Sequence, residues 1–315
     1  MHIALNLDQA RQPTALAIGN FDGIHQGHQQ VLDPILSQSN PSVGKQSGSP
    51  LKTVLTFYPH PQEVFTGQPR LCLTPPEEKQ ALLANLGFEQ VVQLPFTPEF
   101  ARLSPQQFIQ QILQQRLGVT RISVGWDFRF GSGRTGEVSQ LKDWAIEQGI
   151  DIHVVPKAEI QGERVSSSRI RSALSTGDPG LAQLLLGRPY RLQGQVIQGD
   201  QRGRQLGFPT ANLALPSDKF LPRDGVYGVW VHLSPDPLAR PLMGVMNLGV
   251  RPTVDGSRRQ LEVHVLDWQG DLYDQVIGVD LNHFVRPEQR FGSLDQLRHQ
   301  ISVDCETVRQ FLATR

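Results

Sequence analysis

The sequence predicts an α/β domain built on a parallel sheet, followed by a mainly antiparallel β-barrel domain with a C-terminal helix. Three observations predict it. A length of 315 residues corresponds to about two domains at roughly 150 residues each. Up to about residue 186, short apolar runs alternate with helical ones, the pattern of parallel strands joined by right-handed crossovers. Beyond residue 190, strand-like runs succeed one another with Gly, Pro and Asp clusters between them and no helix of useful length, which fits an antiparallel sheet or small barrel. The join is expected within STGDPGLAQLLLGRPY (175–190), dividing the chain into 1–186 and 187–315, and there is no internal repeat.

The first-half strands are TALAI, KTVLTFY, EQVVQLP, RISVG and IDIHVVP. Thr74-Pro75 opens a helix, with Thr74 as cap, proline in the first turn, Glu77 at the capping-box position and Gly87 past the end. Ser104-Pro105-Gln106-Gln107 opens the next in the same way, and NPSVGKQSGSP (40–50) reads as an exposed polar loop. In the second half the strands are RLQGQVIQG, GVYGVWVHL, LMGVMNLG, QLEVHVLDW and VIGVDLNHFV. The closing helix has Ser293 as cap, Gln296 completing a capping box, and an apolar face of Leu294, Leu297, Ile301, Cys305, Val308 and Leu312 expected to pack on the barrel.

Composition excludes several function classes. Thirty basic and thirty acidic residues give a formal net charge of zero, so general attraction to nucleic acid or an acidic membrane is not expected. MHIALNLDQA lacks the basic region and apolar core of a signal peptide, and no stretch approaches the roughly 20 apolar residues of a membrane span. Cys72 and Cys305 stand alone, which fits a reducing compartment and supports neither a disulfide framework nor a zinc cluster. A soluble, cytoplasmic protein is expected.

TALAI runs into GNFDG and then His25, Gly27 and His28. In an open parallel sheet ligands gather at the carboxyl ends of strands, and a helix start offers unpaired amides and a positive dipole end that suit phosphate. Gly23 and Gly27 would let a phosphate or adenine ring approach the backbone, and the two histidines, about a turn apart, can face one ligand. Taken alone, such a pair reads more often as helix surface or core, and a zinc pair more often uses i, i+4 spacing with a third ligand. A second cluster, RVSSSRIR (164–171), places Arg164, three serines, Arg169 and Arg171 at another helix start, a second phosphate cradle. In the second half no G-x-x-x-x-G-K-[ST] occurs, so an ordinary P-loop is excluded. GRQLGFPTAN must serve instead: Gly203 and Gly207 allow a closing loop, Pro209 stiffens the residues after it, and Thr210 and Asn212, if extended, offer two oxygens on one face to Mg²⁺. PTAN also reads as a polar loop after a strand, and Glu262, sharing a strand face with His264 and Leu266, as a solvated barrel residue.

Together, GNFDGIHQGHQQVL, FYPHP (57–61), VGWDFRFGSGRTG (124–136) and SSSRIR resemble the FMN adenylyltransferase half of bacterial bifunctional riboflavin kinase/FAD synthetases. GQVIQGDQRGRQLGFPTANL, GVYGVWV, NLGVRPTV and LEVHVLDW are similar to that family's riboflavin kinase module, in order along nearly the whole chain. The resemblance implies a Rossmann-like nucleotidyltransferase domain first, and riboflavin, FMN, FAD and ATP as substrates and products, with Mg²⁺ as cofactor. It implies nucleotide contacts from Gly19, Phe21, Asp22 and Gly27, and His25 and His28 stabilising charge as FMN phosphate attacks the α-phosphorus. Ser167, Ser168 and Arg171 would hold the leaving phosphates with Arg164 nearby; Ser168 stands where the family more often has threonine. His60, Asp127 and Phe128 would lie by flavin or nucleotide. In the second half it implies nucleotide contacts from Gly203, Arg204, Gly207 and Pro209, metal at Thr210 and Asn212, Glu262 as the base for the riboflavin 5′-hydroxyl, and flavin contacts from Arg286, Glu288 and Phe291. A single-activity enzyme with one degenerate half, or a flavin- or nucleotide-sensing module without turnover, are the alternatives.

Overall fold

The computed structural model describes residues 1–37, 48–199, 203, 206–234, 239–253 and 256–314; most of the loop expected over 40–50, and Arg204, lie outside them. Two compact units divide the chain, Met1–Ser167 and Ser168–Arg315.

In the first unit, β1 (His2–Ala4), β2 (Thr14–Ile18), β3 (Leu51–Phe57), β4 (Gln90–Leu94), β5 (Val119–Gly125) and β6 (Asp151–Val155) form a sheet in the order β1-β4-β3-β2-β5-β6. Every neighbouring pair is parallel. All five expected strands are present, and β1 is an addition. Strand order reverses beside β2: β3 and β4 lie to one side and β5 and β6 to the other, which opens a crevice at the carboxyl ends of β2 and β5. Each β2 residue is buried because the strand is covered on both faces. Ala15 and Ala17 belong to the core formed with Val31, Leu32 and Ile35 of helix α1 (Gln26–Leu36). Leu16 and Ile18 belong to the opposite core with Phe108, Ile112 and Leu141. Two shorter elements, α2 (Pro61–Thr66) and α3 (Pro76–Asn85), come after β3, and α4 (Val138–Glu147) precedes β6.

Helix starts show where local signals compete with tertiary ones. Ser104 forms the expected capping box, accepting from Gln107 N at 3.1 Å while Gln107 Oε1 accepts from Ser104 N at 2.8 Å. That helix continues over Phe108–Arg116 with π spacing. Thr74 does not cap α3, whose N-cap is Pro75 with no side-chain hydrogen bond. Its hydroxyl instead accepts from Gly23 N at 2.9 Å, far away in the chain.

The second unit opens with α5 (from Ser168 within Ser167–Thr176) and α6 (Pro179–Leu186). Its six strands, β7 (Tyr190–Ile197), β8 (Ala211–Ala214), β9 (Gly225–His232), β10 (Leu242–Thr253), β11 (Gly256–Val265) and β12 (Val276–Arg286), close into a barrel in the order β7-β8-β11-β10-β9-β12. All pairings are antiparallel. Alternate side chains such as Leu192, Tyr227, Met246, Val263 and Leu281 are wholly buried and fill the interior as a packed core. The Tyr227 hydroxyl donates to Arg223 O at 2.6 Å, and burial pushes its pKa up.

The closing helix, α7 (Leu294–Ala313), lies on the outer barrel face, where Cys305, Val308 and Leu312 join Val226, Val245 and Leu266 in one core. Each such side chain contributes about 1.5–3 kcal/mol by burial. Gly228 permits the approach, since a Cβ there would sit 3.1 Å from Val308. Two expectations for this helix are corrected. Leu294 is 69% exposed, because the first turn precedes the stretch that meets the barrel. Ser293 accepts from Gln296 N, but Gln296 Oε1 reaches past the cap to Gly292 N at 3.0 Å, so the box is not closed.

Candidate functional sites

The first site is the turn that carries β2 into α1. Phe21, Gly23 and Ile24 have φ values of 49°, 91° and 41°. Positive φ suits glycine but costs a bulky or β-branched residue about 1–3 kcal/mol, and it persists only where surroundings over-determine it. Here they do: Phe21 and Ile24 are buried, Gly23 N donates to Thr74 Oγ1, and Asp22 Oδ1 accepts from Thr74 N at 3.2 Å. Asn20 O accepts from Thr56 Oγ1 at 3.1 Å and from Lys79 Nζ at 2.8 Å. Gly19 continues the ladder through its N–H to Leu55 O, with the Phe21 ring packed where a Cβ would stand.

His25 is the N-cap of α1, its Nδ1 accepting from His28 N at 3.1 Å. That bond leaves the proton of the neutral ring on Nε2, making Nε2 a donor. The His25 and His28 rings stack at 3.5 Å and 12°, so the pair presents one surface. Gly27 makes the fold-back possible: a Cβ there would lie 3.3 Å from the His25 ring and 3.4 Å from Ala158.

Other expected residues gather on neighbouring loops. His60 caps α2, and its Nε2 lies 3.3 Å from Asn20 Nδ2, tying FYPHP to the β2 turn. After β5, Asp127 pairs with Arg164 at 2.6 Å, and the guanidinium lies 5.5 Å over the exposed Trp126 ring. Phe128 stacks on Phe130, while Ser167 Oγ donates to Asp22 O at 2.8 Å. Ser168 and Arg171 come next on α5 in the second unit, where the Arg171 guanidinium lies over Phe220.

The second site lies outside the barrel. Cross-strand register sets Asn212, Glu262, Asn247, Val226 and Arg286 in one lateral row over β8, β11, β10, β9 and β12. The strand pleat turns this row outward while Leu261 and Val263 face in. Between the row and α7 lies a cavity of about 350 Å³. Glu262, Asn247, Thr210 and Glu288 line it with apolar Phe208, Val245 and Ile301. Arg286 and Phe291 also line it, but the guanidinium is engaged by Asp304 at 2.7 Å and stands over Phe291. Glu288 lies against Gly249, where any Cβ would displace it.

A second cavity of about 420 Å³ opens at the barrel end, lined by Val263, Val265, Trp268 and Tyr273 with Pro209 and Thr210. Thr210 thus borders both cavities. Gly203 is within 3.2 Å of Thr210 Oγ1 by its would-be Cβ, and its carbonyl accepts from Phe208 N, closing the turn that contains Gly207. His264 Nδ1 donates to Pro209 O at 2.7 Å. Asn212 is buried against Gly199 and accepts from Gln260, and it borders neither cavity. Thr210 and Asn212 carry neutral oxygens, the kind a hard cation takes beside phosphate and water; Thr210 borders both cavities, while the Asn212 oxygen is engaged by Gln260. Sequence reasoning missed Asn20, Lys79, Asn247, Trp268 and Tyr273; an asparagine inside GNFDG and an aromatic pair flanking a turn were the available signals.

The FAD synthetase family model matches residues 7–169 and the riboflavin kinase family model residues 186–312. The bifunctional riboflavin kinase/FMN adenylyltransferase of Escherichia coli K12 is 42% identical over 308 residues, 97% of this chain and 95% of that protein. Its counterpart from Bacillus subtilis 168 is 34% identical over 316 residues, covering 98% and 96%. A crystal structure described as a macrolide-efflux protein from Streptococcus pneumoniae matches with a TM-score of 0.84 at 29% identity, covering 98% of both chains.

Proposed function

The chain belongs to the bifunctional riboflavin kinase/FMN adenylyltransferase family, and on that premise we propose which residues carry its two ATP-dependent reactions. It phosphorylates riboflavin to FMN and adenylylates FMN to FAD. Residues 1–186 serve the adenylyl transfer and 187–315 the kinase, a division supported by family matches that end at 169 and resume at 186.

In adenylyl transfer an FMN phosphate oxygen attacks the α-phosphorus of ATP and pyrophosphate leaves. Alignment and charge neutralisation are what this step asks of a protein. His25, through Nε2–H, and His28 donate to phosphate oxygens above the α1 start, and Ser167 holds the leaving phosphates with Arg164 nearby. Gly19, Phe21, Asp22 and Gly27 shape the turn for the nucleotide. Ser168 and Arg171 take the same role as Ser167 on the family motif alone. His60, Asp127 and Phe128 border flavin or nucleotide.

In the kinase reaction Glu262 takes the riboflavin 5′-hydroxyl proton as that oxygen attacks the γ-phosphorus and ADP leaves. The observation that carries this reading is the row that sets Glu262 in one cavity wall with Asn247, beside Thr210, which also borders the second cavity. The 350 Å³ cavity takes the flavin, with Glu288 and Phe291 at its rim and Arg286 holding the rim in place. The barrel-end cavity takes ATP, its adenine against Trp268 and Tyr273 and its phosphates toward Pro209, Thr210 and the Gly203–Gly207 turn. Arg204 is assigned to the nucleotide on the family motif alone. Mg²⁺ held by Thr210 and Asn212 would neutralise the transferring phosphates. The work is assigned to the cytoplasm, without nucleic acid or membrane.

The test runs both reactions on single-site variants of the full chain. Glu262→Gln should lower FMN formation by roughly 10²–10⁴-fold and leave FAD formation from supplied FMN intact. His28→Ala should do the reverse. Unchanged kinase turnover in Glu262→Gln removes it from the mechanism, and tight flavin binding with no ADP or pyrophosphate release in the parent chain would favour the sensing alternative.

A further inference from the structure

We propose that Lys79 is a positioning residue for adenylyl transfer: its buried ammonium pins the Asn20 peptide and places a fixed positive charge behind the phosphate turn. The inference rests on the reading of GNFDGIHQGH as the phosphate site.

Lys79 sits in the first turn of α3, where a lysine ordinarily faces water, yet it is 8% exposed. Its Nζ donates to Asn20 O at 2.8 Å and lies 3.4 Å from Thr56 Oγ1. The Thr56 hydroxyl already donates to the same carbonyl at 3.1 Å. Asn20 O is therefore satisfied without the lysine, and hydrogen-bond accounting alone does not explain a buried cation. What only Lys79 contributes is charge.

That charge is held at a cost. Burial lowers the pKa of Lys79, opposed first by Asp22 on the turn and then by the Cys72 thiol on the segment entering α3. Among the described residues these are the charged or titratable groups that act on it; Asn20 O and Thr56 are the neutral ones. A protein that keeps a desolvated ammonium facing one carboxylate gains most from it when a further anion arrives, and a triphosphate on the other side of the turn is such an anion.

Position matters as well. The strained stretch Phe21–Ile24 is gripped at both ends by one segment: Lys79 takes Asn20 O, and Thr74 takes Gly23 N and Asp22 Oδ1. Through Asn20 the same lysine bears on the contact with His60. It touches the turn and not the reacting atoms, so it acts by positioning and by field.

The experiment compares Lys79→Met, Lys79→Gln and His28→Ala as full-length proteins. FAD formation from FMN and ATP is measured for kcat and KM from neutral to alkaline pH, with thermal unfolding alongside. Lys79→Met should lose about 10²-fold in kcat, the scale of removing one fixed electrostatic element, while KM for FMN changes by no more than a few-fold. Its unfolding temperature should hold or rise, because methionine removes a desolvated charge at similar volume. Lys79→Gln, a donor without charge, should resemble Lys79→Met, and both should lack the alkaline loss of rate expected of the parent. A near-normal rate in Lys79→Met overturns the inference, as does a loss that tracks lowered stability and is restored by glutamine. If Lys79→Met does not fold, the Lys79→Gln rate and pH profile decide alone. Normal FAD synthesis in His28→Ala would instead defeat the site reading beneath it.

Discussion

Replacing Asp304 with alanine should cost the barrel unit about 3–5 kcal/mol, the range for stranding one partner of a buried ion pair. The surroundings set that magnitude. Asp304 is 3% exposed and accepts from Arg286 Nε at 3.0 Å, Arg286 Nη2 at 2.7 Å and Gln300 Nε2 at 3.0 Å. Without the carboxylate, the half-buried guanidinium keeps Pro287 O and the Phe291 ring among its present partners. Asp304→Asn retains an acceptor and the shape, and should lose only about 1–3 kcal/mol. Arg286→Met combined with Asp304→Leu, which removes both charges, should recover most of the loss. Against a usual domain stability of about 5–15 kcal/mol, the alanine effect is large enough to shift a urea midpoint plainly. The four tryptophans divide two to each unit, so a Trp126→Phe/Trp144→Phe background leaves Trp230 and Trp268 as reporters of the barrel unit. Because the pair joins the end of β12 to α7 in the wall of the cavity proposed for flavin, riboflavin KM should rise in parallel. A loss below about 1 kcal/mol in Asp304→Ala would refute the reasoning, since it would mean the guanidinium is hydrated as well as it is paired.

Three further outcomes are expected of the same structure. Burial below α7 pushes the Cys305 thiol up to about 11, so iodoacetamide at neutral pH should label half-buried Cys72 first, and early Cys305 labelling by peptide mass would contradict the packing. Burial holds the folded pKa of Lys79 below its ordinary 10.5, so between the two values the unfolded chain binds more protons and stability rises with pH. Urea titrations should show that alkaline rise in the parent and a flatter response in Lys79→Met, and equal slopes would mean that burial does not lower the Lys79 pKa. Neutral Thr210 and Asn212 should bind Mg²⁺ weakly without nucleotide, so calorimetry finding tight binding to the nucleotide-free protein would remove them as its ligands.

Much of the architecture was legible because hydrophobic periods are local. TALAI, buried on both faces, reads as a central parallel strand, and the alternation in QLEVHVL reads as a barrel wall. What escaped was long-range. Lys79 carries no local signal of burial, since its acceptor lies 59 residues earlier. Thr74 carries a cap signal, but a buried amide at Gly23 competes for its hydroxyl. The ion pair of Arg286 was not legible, because Asp304 stands 18 residues on, inside a helix whose visible signal is apolar. His25 and His28 were visible as a pair, whereas their stacking depends on His25 leaving the helix to cap it.

The outward row on the barrel has a consequence for how correct folding can be counted. Leu261 and Glu262 are neighbours on β11 that face opposite ways, one into the core and one into the 350 Å³ cavity. Sliding β11 by a single residue would exchange them, burying a carboxylate and exposing a leucine. Asn212 and Asn247 meet Glu262 from the strands on either side, so a slip in any of the three breaks the row. A barrel zipped out of step can still be compact and rich in strand, and circular dichroism would score it as folded. It cannot phosphorylate riboflavin. In a refolding mixture, kinase turnover per mole of protein therefore tallies the molecules whose strands have found their proper partners.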